Sequence, residues 1–242
     1  MIYIVFSDVH GNLESLETFV QISGSIVHDK KVCLGDIVGY GADPNPCVEW
    51  VKENVDIVLG GNHDYAAVEK TDVSYFNPHA YQACLWTRRE LTRDNIKYLR
   101  SLSAAREEDG VFWVHSSPFE PERWHYVTSL YDGMENFAHF NAPICFLGHS
   151  HRPLILEQDV EGQVDAYPPS ALRLNAERRY IVNVGSLGQP RDGNPDPAFA
   201  IFDSDLQTLE FRRYKYDLQT AQKKILEKGL PPFLAERLSY GI

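Results

Sequence analysis

Three features of the 242-residue sequence predict an α/β fold with two stacked sheets. In the first third, short apolar runs alternate with helical patterns, which is the signature of parallel strands joined by crossover helices. After residue 151 the runs become closely spaced with short turns, which suggests antiparallel pairing. Five of the apolar runs also stop at a residue that can bind a hard or borderline metal ion. In open α/β sheets, sites form just beyond the carboxyl ends of strands, so these residues can converge.

Each element has its own reason. Residues 2–6 are an apolar run of strand length. Leu13, Leu16, Phe19, Val20 and Ile22 then share one helical face, with Asn12 as candidate N-cap. Strand 32–34 follows. A Gly/Pro-rich loop over 39–46 leads to a helix at 47–53 and a third strand at 56–59. The β-α-β-α-β order places helices on the sheet faces. Residues 65–105 read as a helical insertion. Pro78 fits the first helical position after Asn77, and Ala80, Cys84, Leu85 and Leu91 share a face. A second helix covers 94–102. Phe76 and Trp86 are assigned to the core of this insertion, and Arg88 and Arg89 to solvent. Strands 111–115 and 144–148 bracket a polar, aromatic loop and a short helix near 133–140. Strands are expected at 154–156, 171–174, 180–184, 198–202 and 209–216, and a last helix at 218–229. With no repeat, low-complexity tract or linker, residues 1–242 read as one domain.

The apolar fraction of 43% supports a sizeable core, and the net charge is −11. So acidic a chain is a poor partner for long nucleic acid, which is gripped through its phosphates by Lys and Arg. A small anion can still bind where metal ions make a site locally positive. Cys33, Cys47, Cys84 and Cys145 form no C-x-x-C pair, so neither a zinc knuckle nor a thioredoxin-like site is indicated. Cys33 and Cys145 fall in buried strands, where a free thiol acts as a small hydrophobe, and this favours a reducing compartment. The N-terminal run is too short for a signal-peptide core and lacks a basic flank. No run reaches the ~18 apolar residues of a membrane span. The expectation is a cytoplasmic protein with no membrane partner.

The candidate site consists of the residues at the five strand ends. Asp8 and His10 are one residue apart, so in extended backbone they face the same way, and His149 and His151 repeat that geometry. Asp36 follows Gly35, and a carboxylate has two oxygens with which to bridge two cations. Asn62 follows Gly60 and Gly61, and its carbonyl oxygen suits a hard cation. His115 ends the run 111–114. Taken singly, each has a plain alternative. D-x-H and Gly-Asp fit ordinary turns, Asn62 fits a turn after two glycines, and His115 fits a hydrogen-bonded core histidine. Together, five strand ends each carrying a ligand-type residue point to a two-metal site with the chemistry to hydrolyse a phosphate ester.

In their order, Asp8-Val9-His10, Gly35-Asp36, Gly61-Asn62-His63-Asp64, His115 and Gly148-His149-Ser150-His151 resemble the motifs of the calcineurin-like metallophosphoesterases. The resemblance implies a four-layer α/β/β/α sandwich, two stacked mixed sheets with flanking helices. It implies that Asp8, His10, Asp36 and His151 hold one metal, and that Asp36, Asn62, His115 and His149 hold the other. It implies hydrolysis by a metal-activated hydroxide. His63 would then be the general acid at the leaving group, oriented by Asp64, with Asn62 also facing substrate. Mixed N/O ligation without thiolate suits two divalent transition-metal ions, with manganese expected and iron, zinc, cobalt or nickel as alternatives.

One departure stands out. The superfamily's protein Ser/Thr phosphatases and symmetrical dinucleoside tetraphosphatases carry phosphate-gripping arginines after the G-D and G-N-H motifs. Here Asp36 leads to Ile37-Val38-Gly39-Tyr40-Gly41, and Asp64 to Tyr65-Ala66-Ala67. The chain is closer to the small prokaryotic phosphodiesterase-like branch, which Asn183–Gly193 also resembles, and there Arg191 is the candidate phosphate grip. The implied substrates are small phosphate mono- or diesters, nucleotides among them. The competing expectations are a protein phosphatase and an inactive scaffold of the same fold.

Overall fold

The computed structural model describes residues 1–242. Its strands are β1 (Ile2–Phe6), β2 (Lys30–Cys33), β3 (Ile57–Val58), β4 (Ala105–Glu108), β5 (Val111–Val114), β6 (Ile144–Leu147), β7 (Leu154–Gln158), β8 (Val164–Tyr167), β9 (Leu172–Arg173), β10 (Arg179–Asn183), β11 (Ala198–Asp203) and β12 (Thr208–Arg213). Its helices are α1 (Leu13–Ser23), α2 (Pro44–Asn54), α3 (Asn62–Ala67), α4 (Pro78–Glu90), α5 (Arg93–Ser101), α6 (Leu130–Asn136), α7 (Leu218–Glu227) and α8 (Pro232–Glu236).

The strands form two six-stranded sheets, ordered β3-β2-β1-β11-β12-β9 and β4-β5-β6-β10-β7-β8. Both are mixed. β1, β2 and β3 run parallel, as the β-α-β-α-β order requires, and β5, β6 and β10 run parallel in the second sheet. The strands after residue 151 were expected to form an antiparallel stretch. Among themselves they do pair antiparallel, β7 with β8 and β10, and β12 with β11 and β9. They are divided between the two sheets, however: β11 pairs antiparallel with β1, while β10 lies parallel to β6. A sequence read in order cannot see that β10 returns to the second sheet after the β7–β8 hairpin. β4 and β8 were not anticipated. β4 is largely charged and β8 is short and mostly exposed, both at sheet edges, so neither shows as an apolar run. α8 was also missed.

Alternation along β1 shows the layering. Tyr3 and Val5 face the second sheet, in one core with Trp113, Phe146, Val182 and Phe202. Ile4 and Phe6 face the helices, in a second core with Phe19, Val48 and Val51. On the far side, Cys145 and Leu147 of β6 pack with Phe137 and Phe140 next to α6. Helices, sheet, sheet and helix thus make four layers. Full burial of each large apolar side chain contributes about 1.5–3 kcal/mol, which holds the two sheets face to face. Asn12 caps α1 by accepting from the Ser15 N–H, and Asn77 caps α4 by accepting from His79 and Ala80, with Pro78 in the first turn. A satellite core joins α7 and α8 to Tyr40, Ala80 and Ala83. The cysteines are all buried and free.

Candidate metal centre

Beyond the ends of β1, β2 and β6 the ligand positions do not continue as strand. Asp8, His10, Asp36, His149 and His151 all have φ between 50° and 63°, in the left-handed region. The backbone of D-x-H and H-x-H is thus not extended, contrary to the expectation from spacing. Their side chains converge because the chain kinks at each of these residues, not because a strand alternates. Non-glycine residues rarely adopt this conformation, and its concentration here is strain held in place by the surrounding fold. The approach is close enough to demand glycine at two points. A Cβ on Gly61 would lie 2.1 Å from Asp36 Oδ1, and one on Gly148 would lie 2.5 Å from Asp8 Oδ2.

These kinks bring together two buried clusters, Asp8–His10–Asp36–His151 and Asp36–His115–His149, which share Asp36. Asp36 Oδ2 lies 3.6 Å from His10 Nε2 and 3.4 Å from His115 Nε2. Asp8 Oδ1 lies 3.1 Å from His151 Nε2 and 3.7 Å from His10 Nε2. Asn62 Oδ1 lies 3.3 Å from His115 Nε2.

Each imidazole is oriented by a main-chain carbonyl. His10 Nδ1 meets Val38 O at 3.1 Å, His115 Nδ1 meets Leu34 O at 3.0 Å, and His151 Nδ1 meets Gln189 O at 2.5 Å. His149 is turned the other way, its Nε2 meeting Trp124 O at 2.9 Å. A carbonyl only accepts, so each of these nitrogens carries the proton and the other presents a lone pair to the centre.

The lone pairs face one another. His10 Nε2 and His151 Nε2 are 3.0 Å apart, and His115 Nε2 faces the Asn62 and Asp36 oxygens. Asp8 Oδ1 is buried with no hydrogen-bond partner. Two imidazole lone pairs aimed at each other beside an unpartnered carboxylate oxygen call for a cation between them, so the residues fit a metal pair. The pKa shifts agree. Burial works against charge on Asp36, but the His115, His63 and His10 rings override it and hold the carboxyl well below its usual range. Burial also opposes a charge on His115, and the Asp36 carboxylate outweighs it, raising the ring to about 9. The field of this site favours positive charge at His115 Nε2.

The family described as the calcineurin-like phosphoesterase superfamily domain matches residues 1–207. The chain belongs to that superfamily. It is accordingly a metal-dependent phosphoester hydrolase by family. An uncharacterized protein of Methanocaldococcus jannaschii, MJ0912, is 37% identical over 242 residues, covering 98% of this chain and 97% of that protein. The crystal structure of a metallophosphoesterase from Sphaerobacter thermophilus is 38% identical with a TM-score of 0.89, covering 100% of this chain and 99% of that one. Protein PH1004 from Pyrococcus horikoshii OT3 shares the fold at 18% identity and a TM-score of 0.78, covering 100% of this chain and 98% of its own.

Within this phosphoesterase, His63 differs from the four carbonyl-held rings. It is buried beside His10, Tyr40 and Phe76, with ring centroids 5.0, 4.4 and 4.8 Å away, and its Nδ1 has no hydrogen-bond partner. The expected contact with Asp64 is absent. Asp64 Oδ1 accepts from Val38 N–H and Oδ2 from Gly61 N–H, both at 3.0 Å. As the third residue of α3, Asp64 folds back on the turn before the helix and staples it to the loop after β2. Burial, helped by the charge of Arg191, outweighs the Asp36 carboxylate and lowers the His63 ring to about 4. Arg191 lies beside Tyr40 and Gln189. Its guanidinium lies 5.6 Å from the Tyr40 ring and donates to Gln189 Oε1 at 2.8 Å.

The sequence reading missed Tyr40, Trp124, Tyr126 and Gln189 as neighbours of the site. For Tyr40 a signal existed, an aromatic residue between Gly39 and Gly41 directly after the G-D motif. Phe76 packs against the satellite core, as expected of it, and also lies against the His63 ring. No helix of the chain is long and apolar enough to cross a membrane.

Proposed function

We propose that the protein hydrolyses small phosphate mono- or diesters, nucleotides included, at a centre of two divalent metal ions. The observation that carries this reading is the pair of clusters sharing Asp36, with each imidazole pinned so that a lone pair faces inward. Asp8, His10, Asp36 and His151 would hold one ion, and Asp36, Asn62, His115 and His149 the other. Manganese is our first choice, with iron, zinc, cobalt or nickel compatible with the same N/O donors. Such a pair supplies Lewis acidity to the phosphoryl group and to water, with about two units of net positive charge once two carboxylates are counted.

The chain's own residues divide the remaining work. Asn62 and Arg191 face the position where a phosphate would sit, and Arg191 supplies the grip that related phosphatases take from arginines missing here. His63 is the proton donor to the departing oxygen. Its ring is neutral in the unliganded site, and the negative charge of a bound phosphate is what raises its proton affinity. Asp64 acts through the backbone, fixing the loop on which His63 sits. We read 1–242 as one phosphoesterase domain whose segment 65–105 walls the site. We also read it as cytoplasmic, which suits four buried free thiols.

The test is metal reconstitution followed by assay of a generic monoester, a generic diester and a nucleotide panel. Turnover that chelation abolishes and Mn²⁺ restores is expected. Full metal occupancy without hydrolysis of any phosphate ester would favour the inactive-scaffold alternative. A phosphopeptide preferred by orders of magnitude would favour the protein-phosphatase one.

A further inference from the structure

Beside the metal centre lies a cleft of about 260 Å³ whose floor includes Asn62, His63 and His149. Its sides come from two separate loops. Tyr75, Phe76 and Asn77 precede α4 on one side, and Arg123, Trp124 and Tyr126 follow β5 on the other. The volume is just below the ~300–1,000 Å³ of pockets for drug-sized ligands, so it suits a single ring system.

The lining has a specific chemistry. Tyr126 lies flat over His149 with centroids 4.3 Å apart and planes 14° apart, yet is 53% exposed. Tyr75 meets Phe76 edge-on at 5.1 Å and is 56% exposed. Large aromatic side chains held open on both sides of one cleft are surfaces for stacking. The polar groups between them are donors. Asn77 uses its oxygen to cap α4, which leaves its amide N–H groups free. Arg123 is 74% exposed, with only a long contact to Glu120 at 4.0 Å. In a chain with 34 acidic residues, the cleft contains no carboxylate. Its one aliphatic residue is Ala80, so a lipid tail has little to bury against.

We propose that this cleft binds a nucleobase, so that the preferred substrates are phosphoesters of nucleosides. This rests on the phosphoesterase reading above and names its substrate class. Stacking between aromatic side chains suits any planar base, and the amide and guanidinium donors match the acceptor atoms on a base edge. A base in the cleft puts the attached phosphate over Asn62, His63 and His149, at the shared boundary of cleft and centre.

The experiment uses the full chain reconstituted with Mn²⁺. Hydrolysis is compared for the methyl ester of adenosine 5′-phosphate and for the methyl ester of ribose 5-phosphate, which lacks the base. Calorimetry measures binding of non-hydrolysable phosphonate analogues of AMP and of ribose 5-phosphate. The nucleoside ester should have the higher kcat/KM by at least about 10-fold. Tyr75→Ala should raise its KM by about 5–100-fold, the range for loss of one stacking partner. The same variant should leave the abasic ester unchanged, and Tyr75→Phe should restore the wild-type value. Equal kcat/KM for the two esters, with Tyr75→Ala altering neither, overturns the cleft proposal while the phosphoesterase reading stands. If neither ester is hydrolysed, the calorimetry decides. Tighter binding of the AMP analogue that Tyr75→Ala weakens supports the cleft, and equal binding of both analogues overturns it.

Discussion

The metal centre and the aromatic cleft touch, yet they are built in opposite ways. The centre sits where parallel strands end, fully buried, with its side chains aimed by kinked backbone and its imidazoles tied to main-chain carbonyls. The sides of the cleft come from two loops far apart in sequence, and its rim residues Tyr75 and Tyr126 stand half in solvent. The difference separates chemistry from selectivity. A reaction site tolerates almost no displacement of its groups, so rigid strand ends carry it. A surface that chooses among substrates can vary freely on a fixed scaffold, so loops carry it.

This division can be broken or sharpened by mutation. The largest effect belongs to Asp36, the residue common to both clusters. Asp36→Ala should reduce hydrolysis below about 10⁻⁴ of the wild-type rate, because both ion sites lose a donor at once. A variant that keeps a tenth of the activity would show that the clusters work independently.

Next comes His63→Ala, which should slow esters with poor alkyl leaving groups by about 10²–10⁴-fold while leaving metal content intact. An activated aryl leaving group needs less protonation and should lose less. Equal losses for both would remove His63 from the role of proton donor. Arg191→Ala should raise KM for phosphate esters by about 10–100-fold, the worth of a charge-assisted hydrogen bond. Steady-state kinetics with Arg191→Lys as a partial rescue would check it, and unchanged KM would place the guanidinium outside the site.

Smaller effects test stability rather than turnover. Asp64→Ala strands the buried Val38 and Gly61 amides, which should cost about 1–3 kcal/mol, or roughly 2–12 °C in Tm for a chain of this size. Tyr75→Ala, on the cleft rim, should shift Tm by no more than about 2 °C. Thermal melts of the two variants side by side would show whether the centre and the cleft differ in rigidity as the structure implies.

The two regions were also unequally legible in the sequence. The centre was visible because strand ends carry ligand-type residues in recognisable order, and the first three strands follow from a local β-α-β pattern. The way those residues converge was not visible, since left-handed φ at Asp8 or His151 leaves no mark in composition. Nor was the partner of Asp64. Whether a carboxylate reaches the neighbouring imidazole or folds back on the helix start depends on side-chain direction, which sequence adjacency does not set. The place of β10 beside β6 depends on pairing over a long separation. Phe76 was read as a core residue, which it is, but its second contact, with His63, leaves no mark in the sequence.

The proposed two-metal centre depends on Asp36 as the link between two ions. The most direct measurement is anomalous diffraction from crystals of the Mn²⁺-reconstituted protein. The prediction is two metal peaks, one among Asp8, His10 and His151 and one among Asn62, His115 and His149, with Asp36 bound to both. A single peak, or two peaks with Asp36 bound to only one of them, would contradict it.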